Sequence, residues 1–200
     1  MKSHYLCFRK QEPEIFYAMN SLISIFRLPI LKAQKVQEQP ITGTAIVYMS
    51  KHGTTNKVAQ LIKELLIGEE VSLINLNEHK APDLNNCSRI VIGGSIHMGK
   101  IQKEVQVFCQ KNKAVLKSKP IGLFLCCMYE GEKANEQFNN AFPEELRTAA
   151  KSKALMGFEL NFNQMNPIER SMTKRITGYQ EFKSQIDQIQ ITRFVTELKN

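Results

Sequence analysis

Apolar runs and amphipathic stretches alternate regularly from residue 44 onward. Residues 44–49 form a short continuous apolar run, which favours a strand buried on both faces of a parallel sheet. Small and polar residues follow, and apolar residues then recur at spacings of three and four, which predicts an amphipathic helix ending near Gly68. Its predicted apolar stripe consists of Val58, Leu61, Ile62, Leu65 and Leu66.

The same alternation of strand and helix patterns continues to the end of the chain. Phe158, Leu160 and Phe162 recur at period two, which predicts an edge strand over residues 154–162 with one solvent-facing side. Pro143 separates two short helical stretches. The other predicted strands cover 71–76, 89–93 and 120–125, and the other predicted helices cover 101–112, 132–142, 144–150 and 185–199.

This order of elements indicates an α/β fold built from βαβ units with right-handed crossovers. Five strands within residues 44–200 predict a doubly wound five-stranded parallel sheet of order 2-1-3-4-5, with helices on both faces. In such a sheet the ligand binds beside the carboxyl ends of the strands, so the turn after the first strand is the first place to look for chemistry.

Residues 1–43 lack the regular pattern, and we expect a poorly ordered N-terminal extension before a domain over 44–200. Residues 16–31 are apolar, but polar residues and a proline interrupt them, so the segment falls short of the roughly 20 apolar residues of a membrane span. No obvious small-residue cleavage site follows it. An amphipathic appendage, a surface anchor and sequence upstream of the true start codon remain open.

The net charge of +8 and the sequence pI of about 9.3 favour anionic partners such as acidic lipids or carboxylate and phosphate ligands. We expect no nucleic-acid partner, because helix-turn-helix and aromatic-basic RNA-binding motifs are absent from the sequence. The five cysteines show no CxxC pair and no spacing of metal ligands, so we expect reduced thiols, a cytoplasmic location and no metal.

The turn at residues 50–56 has the composition of a phosphate-binding loop. Unpaired N–H groups and the helix dipole favour an anion at a helix start, and Ser50, Thr54 and Thr55 add hydroxyl donors. Gly53 lets the backbone approach the ligand closely. Neither the Walker sequence nor GxGxxG is present, so one phosphate monoester is expected; an ordinary capped turn is the alternative. The interpretation requires Thr54 and Thr55 to be exposed and the bend to adjoin the other strand ends.

Residues 46–62 resemble the signature of flavodoxins at each constrained position. The matching features are two aliphatic residues and an aromatic one in the strand, then Ser50, Gly53 and Thr55, and then Ala59 and Ile62 in the helix. The resemblance implies a flavodoxin-like fold and FMN as cofactor. It also implies that the FMN phosphate is held by Ser50, Lys51, His52, Gly53, Thr54 and Thr55.

Two segments resemble the menaquinone-dependent protoporphyrinogen IX dehydrogenases, which are flavodoxin-fold enzymes of bacterial haem biosynthesis. Residues 91–100 resemble the loop after their third strand, and residues 166–178 resemble their basic insertion before the last helix. The resemblance implies an FMN-dependent oxidoreductase that oxidises protoporphyrinogen IX with a quinone acceptor. A flavodoxin-type electron-transfer protein with protein redox partners is the alternative.

The flat, apolar flavin ring needs loops over both of its faces, and the ring rather than a side chain carries out the chemistry, so we name no catalytic residue. Tyr129 is expected to stack on the ring, with His97 or Met98 on its other face. The expected ring-binding residues are Ser95, Ile96, His97, Met98 and Gly99 after the third strand, and Cys126, Cys127, Met128, Tyr129 and Gly131 after the fourth.

The insertion combines apolar and basic residues at near-helical spacing. Three roles fit this pattern: a solvated helix packed by its apolar side, peripheral contact with an anionic membrane on its cytoplasmic face, or binding of the propionates of a tetrapyrrole. The partner is thus expected to be a quinone or a small-molecule redox substrate. The apolar set is Met165, Ile168, Met172 and Ile176, and the basic set expected to contact substrate or membrane is Arg170, Lys174 and Arg175.

Overall fold

Five parallel strands form the central sheet of the computed structural model, which describes residues 40–200. They lie in the order β2-β1-β3-β5-β6, so the predicted order 2-1-3-4-5 and the flavodoxin-like fold class are confirmed. A short strand, β4 (Lys100–Ile101), pairs antiparallel with the end of β3. The five parallel strands are β1 (Thr44–Tyr48), β2 (Val71–Asn75), β3 (Arg89–His97), β5 (Ile121–Cys126) and β6 (Ser152–Leu155).

Helices connect the strands and cover both faces of the sheet. The second predicted helix begins at Lys103, because Ile101 belongs to β4. The last one begins at Gln188, because the residues before it form a strand. The helices are α1 (Thr54–Leu65), α2 (Lys103–Lys111), α3 (Lys113–Lys117), α4 (Gly131–Ala141), α5 (Glu144–Ala149), α6 (Pro167–Thr177) and α7 (Gln188–Lys199).

The continuous apolar strands bury both of their faces, which explains why their residues do not alternate with polar ones. On one face, Val47 and Ile92 belong to a core shared with α2 and α4. On the opposite face, Ile46 and Phe124 pack with apolar residues of α1 and α7. The sheet is therefore a rigid base whose carboxyl ends hold the loops that follow β1, β3 and β5.

The single strand predicted over residues 154–162 is wrong, because the structure divides it into two. After β6, Gly157 adopts a φ of +74°, and a Cβ there would lie 1.9 Å from the carbonyl oxygen of Gln185. The chain turns at this point, and β7 (Gly157–Leu160) pairs antiparallel with β8 (Lys183–Ile186) in a separate two-stranded sheet. The apolar side chains of this region form their own small cluster, composed of Phe158, Leu160, Phe162 and Met165.

The expectations for residues 1–39, including the apolar segment and Cys7, lie outside the described residues. Within residues 40–200, β1 begins at Thr44, as predicted, and its first N–H donates to the carbonyl of Glu70 at 2.8 Å. A search of these same residues finds no helix with the length and apolar content needed to cross a membrane.

Candidate functional site

A cleft of about 360 Å³ lies at the carboxyl ends of β1, β3 and β5, a size within the usual range for small-molecule sites. One wall comes from the loops and strand ends chosen from the sequence, and the other comes from the segment 158–177. The predicted residues that line it are Ser50, Lys51, His52, Thr54, Thr55, Ser95, Ile96, His97, Met98, Cys126 and Met128. The remaining lining residues were not predicted to bind the cofactor: Phe158, Glu159, Leu160, Met165, Glu169, Met172, Thr173, Ile176 and Thr177.

The loop after β1 presents the free amino end of α1 to this cleft. Gly53 adopts a left-handed conformation with a φ of +92°, which non-glycine residues rarely adopt. The first turn of α1 contains no acidic residue, and no side chain caps it. Its N–H groups and the positive end of the helix dipole therefore favour an anionic ligand.

Two hydroxyl groups in this loop, Ser50 Oγ and Thr55 Oγ1, are buried and form no hydrogen bond of normal geometry. Thr55 does interact with the buried Cys126 thiol, where it opposes the larger effect of burial on the thiol pKa, and a thiol is a weak partner for a hydroxyl. Leaving a buried polar group unsatisfied costs about 1–3 kcal/mol, so native structures nearly always satisfy such groups. The hydroxyl of Thr54 differs, because it donates to the carbonyl oxygen of Glu159 at 3.0 Å. Ser50 and Thr55 thus supply two donors that fit a phosphate group, as binding of FMN requires.

The expected exposure of Thr54 and Thr55 is wrong, because only 9% of Thr54 and 1% of Thr55 are accessible. Both residues still line the cleft. Thr54 is covered by β7, where the Glu159 carbonyl accepts its hydroxyl, and Thr55 lies against the buried Cys126 at the end of β5. The second requirement, that the bend after β1 adjoin the ends of the other strands, is met. Ser95 at the end of β3 and Cys126 at the end of β5 line the same cleft as the loop.

Glu169, at the start of α6, binds the outer side of this loop. Its carboxylate accepts a hydrogen bond from Lys51 Nζ and lies 3.3 Å from His52 Nε2. It also accepts from the backbone N–H of Asn166, whose side chain accepts from the Glu169 N–H at 2.9 Å, forming a capping box. The hydrogen bond from Lys51 is the main reason that the pKa of Glu169 falls to about 2.

Sequence reasoning missed Glu169 because no local pattern relates it to a loop more than a hundred residues earlier. A capping-box pattern was visible, since Asn166 is followed by Pro167 and then by Glu169 three positions later. That pattern predicts a helix start, which the structure shows. It carries no information about the contacts with Lys51 and His52.

A hydrogen-bonded group fixes the loop after β3. Gln102 donates to Ser95 Oγ at 2.7 Å, and its side-chain oxygen accepts from the Ser95 N–H at 2.9 Å. Ser95 Oγ also lies 3.1 Å from His97 Nε2, and the ring centroids of His97 and His52 are 5.4 Å apart. Burial lowers the pKa of His97, and the neighbouring His52 and Lys51 add to the effect, so the ring is neutral at pH 7.

Apolar side chains line the rest of the cleft. Met98 comes from the loop after β3, Met128 follows β5, and Met172 and Ile176 project from α6. Methionine adapts its shape readily and makes favourable contacts with aromatic rings. This part of the cleft is therefore suited to a flat, largely apolar ring.

Four residues predicted to contact the ring lie outside the cleft lining: Gly99, Cys127, Tyr129 and Gly131. The stacking of Tyr129 on the flavin stays a prediction. Its ring is partly exposed, and Lys133 Nζ lies 3.6 Å from the ring centroid. The thiol of Cys127 is buried and donates to the Tyr129 carbonyl at 3.6 Å. Turn conformation thus sends only Met128 of this loop toward the cleft.

The three basic residues of the insertion also lie outside the cleft lining. Arg170 Nε donates to the carbonyl of Phe162 at 2.8 Å, and Lys174 Nζ lies 5.3 Å from the Phe162 ring centroid. Arg175 is exposed. The side of α6 that lines the cleft instead carries Met172, Thr173 and Ile176, so a tetrapyrrole inside the cleft would not meet these three cations.

The cysteines within residues 40–200 are Cys87, Cys109, Cys126 and Cys127, and all four are free thiols. Burial raises the pKa of Cys126 and of Cys109 to about 12, so neither is a ready nucleophile. The same part of the chain contains no group of three or more His, Cys, Asp or Glu arranged to hold a metal ion.

Comparison with known families identifies a match of residues 45–187 to a family model described as a flavodoxin domain. Comparison with functionally curated proteins finds no match. A short-chain flavodoxin associated with a bacterial microcompartment is similar in structure, with a TM-score of 0.50 and 16% identity over 79% of this chain and 97% of that one. An identity this low supports the fold alone.

Longer proteins also align with this chain over part of their length. A mutant flavo-diiron protein from Thermotoga maritima aligns with a TM-score of 0.50 and 14% identity, over 78% of this chain and 35% of that one. Rubredoxin:oxygen oxidoreductase from Desulfovibrio gigas aligns with a TM-score of 0.44 and 16% identity, over 80% of this chain and 37% of that one. The chain spans just over a third of the length of these two proteins.

Proposed function

We propose that this chain, which belongs to the flavodoxin family and binds FMN, is an oxidoreductase that transfers electrons from a small organic donor to a quinone. When bound, FMN supplies the capacity to take up and release electrons one or two at a time. The residues of the chain bind and orient this cofactor, and they shape the space in which a second small molecule meets it.

Helix α6 over the cleft is the observation that carries this proposal. Met172 and Ile176 of α6 line the cleft opposite the loops that follow β1 and β3. A carrier that exchanges electrons with proteins needs an open cofactor edge. Apolar side chains at the mouth of the cleft instead favour a flat apolar molecule as reaction partner.

The resemblance of residues 91–100 and 166–178 supports protoporphyrinogen IX as donor and menaquinone as acceptor. Each pair of electrons and protons removed from the donor would reduce one quinone to its quinol. Both molecules are largely apolar, in keeping with the methionine-lined part of the cleft.

The apolar residues of α6 at the mouth of the cleft also face solvent, which supports peripheral contact with a membrane, where a quinone resides. Ile168, Met172 and Ile176 follow one another at intervals of four residues and are 74%, 50% and 72% exposed. Lys174 and Arg175 lie on the same helix. A helix with an exposed apolar stripe and basic neighbours can insert its apolar side at an anionic lipid surface.

Within the site, each group has a distinct role. Ser50 and Thr55 would donate to the phosphate of FMN through their buried hydroxyls. Gln102 holds Ser95 in place beside the ring-binding part of the cleft. His97 offers a neutral imidazole at pH 7, which can donate or accept a hydrogen bond without adding charge.

Anaerobic assays on the full-length protein test the proposal. The protein is loaded with FMN and mixed with protoporphyrinogen and a menaquinone analogue, and quinol formation is followed by absorbance. We expect FMN-dependent quinol formation with appearance of the porphyrin. A protein that holds FMN but forms neither product with this pair of substrates would contradict the proposed substrates.

An electron-transfer protein is the second candidate, and the nearly complete exposure of Met98 at the cleft favours it by leaving one side open. Deletion of residues 166–178 separates the two functions. The oxidoreductase should lose quinone turnover and retain FMN, whereas a protein-to-protein carrier should change little. A Met172→Gln, Ile176→Gln double variant keeps Glu169 and the capping box and tests the same part of the cleft without removing the helix: the oxidoreductase should again lose quinone turnover and retain FMN.

A further inference from the structure

We propose that Glu169 restricts the phosphate loop to flavins with a single phosphate, by closing the outer side of the loop against a second phosphate such as that of FAD. The inference rests on the proposed function only in so far as the loop holds the FMN phosphate. It assigns a selective role to one carboxylate, separate from the choice of electron donor or acceptor.

The loop has an inner and an outer side, which the exposure of its groups distinguishes. The hydroxyls of Ser50 and Thr55 are buried, so they mark the inner side. Lys51 and Glu169, whose side chains are 52% and 29% exposed, mark the outer side. Glu169 therefore lies on the more exposed side of the loop, within the same cleft as the two inner hydroxyls.

Without Glu169, the outer side of the loop would attract a further anion. Lys51 and His52 would present N–H donors there, and the amino end of α1 adds its dipole. Glu169 pairs with both of these side chains, because one carboxylate oxygen contacts Lys51 Nζ and the other contacts His52 Nε2. The cations that would pair with a second phosphate are thus already paired within the chain.

The Glu169 charge is permanent and its position is fixed. A pKa of about 2, caused first by the hydrogen bond from Lys51, keeps the carboxyl ionised at any physiological pH. The capping box with Asn166 and the proline at the start of α6 hold the side chain over the loop. A second phosphate at this place would meet a like charge held there by the capping box, and such contacts disfavour ligands.

The cleft contains a second carboxylate that serves as an internal control. Glu159 also lines the cleft, but its carboxylate pairs with Lys57 at 2.5 Å and has no hydrogen bond with Lys51 or His52. If the overall negative charge of the cleft selected the ligand, the two carboxylates would have similar effects. If position on the loop matters, only Glu169 will affect the choice between FMN and FAD.

Binding of FMN and FAD to the full-length protein, measured by quenching of flavin fluorescence, tests the proposal. For the unchanged protein we expect FMN to bind at least about 100-fold more tightly than FAD, as like-charge exclusion implies. Glu169→Gln, which keeps a capping-box acceptor, should narrow this ratio about tenfold or more. Glu169→Asp retains the charge and should keep most of the preference, and Glu159→Gln should leave the ratio unchanged.

The outcomes distinguish this inference from the assignment of FMN. If the unchanged protein binds no FMN, the cofactor assignment fails. If it binds FMN tightly but the ratio stays the same in Glu169→Gln, the selective role alone is wrong. A similar shift in Glu159→Gln would also refute it, as would loss of both flavins in a Glu169→Gln protein whose circular dichroism spectrum shows it folded, since that result indicates a purely structural role.

Discussion

Ser50 and Thr55 both direct hydroxyl groups into the loop after β1, and both oxygens are buried and form no hydrogen bond of normal geometry. Every other contact of the loop has an evident structural role: Thr54 donates to the Glu159 carbonyl, and Lys51 and His52 meet Glu169. The two unsatisfied groups are therefore a cost to folding, which under the proposed function a bound phosphate would remove. Because structural and proposed ligand-binding side chains are different residues of this loop, single substitutions can separate effects on stability from effects on FMN affinity.

Replacing Thr54 with valine should affect stability more than cofactor binding. The change removes the hydrogen bond to the Glu159 carbonyl and should lower the free energy of unfolding by about 1 kcal/mol. Urea unfolding of the FMN-free protein measures this loss. FMN affinity should fall only slightly, and a large loss of affinity with unchanged stability would show that Thr54 binds the phosphate itself.

Replacing Gly93 with alanine should destabilise the sheet strongly. A Cβ at this position would lie 1.9 Å from the ring of Phe124, which is completely buried between β5 and α7 and has no room to move. We expect a loss of about 3 kcal/mol or more, at the upper end of the range for overpacked cores. Thermal unfolding measures it.

Gly68→Ala is the matched comparison for this steric effect. Its Cβ would meet no atom within 4 Å, so only the left-handed conformation, with a φ of +80°, opposes the change. The expected loss is about 1–2 kcal/mol. Equal losses at the two positions would argue against steric overlap with Phe124.

Acid should release α6 from the phosphate loop before the sheet unfolds. The pKa of Glu169 is lower in the folded protein than in the unfolded chain, so its contribution to stability is complete above about pH 4.5, the ordinary value for this group. That contribution falls as the pH drops toward about 2, where the carboxyl takes up a proton in the folded protein as well. Amide hydrogen exchange should show earlier loss of protection in α6 than in β1, and the difference should shrink in Glu169→Gln.

The exposed apolar residues of α6 should matter for function and little for stability. Met172→Gln together with Ile176→Gln removes two side chains that are at least half exposed, so the free energy of unfolding should change by less than about 0.5 kcal/mol. Binding to anionic vesicles, measured by co-sedimentation, should weaken. Unchanged vesicle binding would refute membrane contact through this helix.

The parts of the fold that were predicted from sequence depend on short-range patterns. Neighbouring residues in the chain form β1, the turn after it and the apolar stripe of α1. The spacing of apolar residues in this stretch therefore predicts both elements. Ser50 and Gly53 could be assigned to a phosphate loop for the same reason. The long-range contacts of the loop, such as the hydrogen bond from Thr54 to the Glu159 carbonyl of β7, have no counterpart in local spacing.

The features that the sequence did not predict have a common physical origin. Period-two alternation describes β6 and β7 equally well, and it does not reveal that Gly157 directs the second strand into another sheet. Tyr129 is expected on the flavin because its loop leaves β5; the structure places Met128 in the cleft lining and Tyr129 beside Lys133, and the stacking itself stays a prediction. Glu169 meets Lys51 only through tertiary folding. A single sequence contains no signal for contacts at such separations.

The affinity of the full-length protein for FMN, compared with that of a Ser50→Ala, Thr55→Val double variant, tests the central claim most directly. Each hydroxyl that donates to a phosphate should contribute about 1.5–3 kcal/mol, so the double variant should bind FMN at least about 100-fold more weakly. Without FMN it should be as stable as the unchanged protein or more so, because two unsatisfied buried groups are gone. Equal FMN affinity in a folded double variant would contradict the phosphate site.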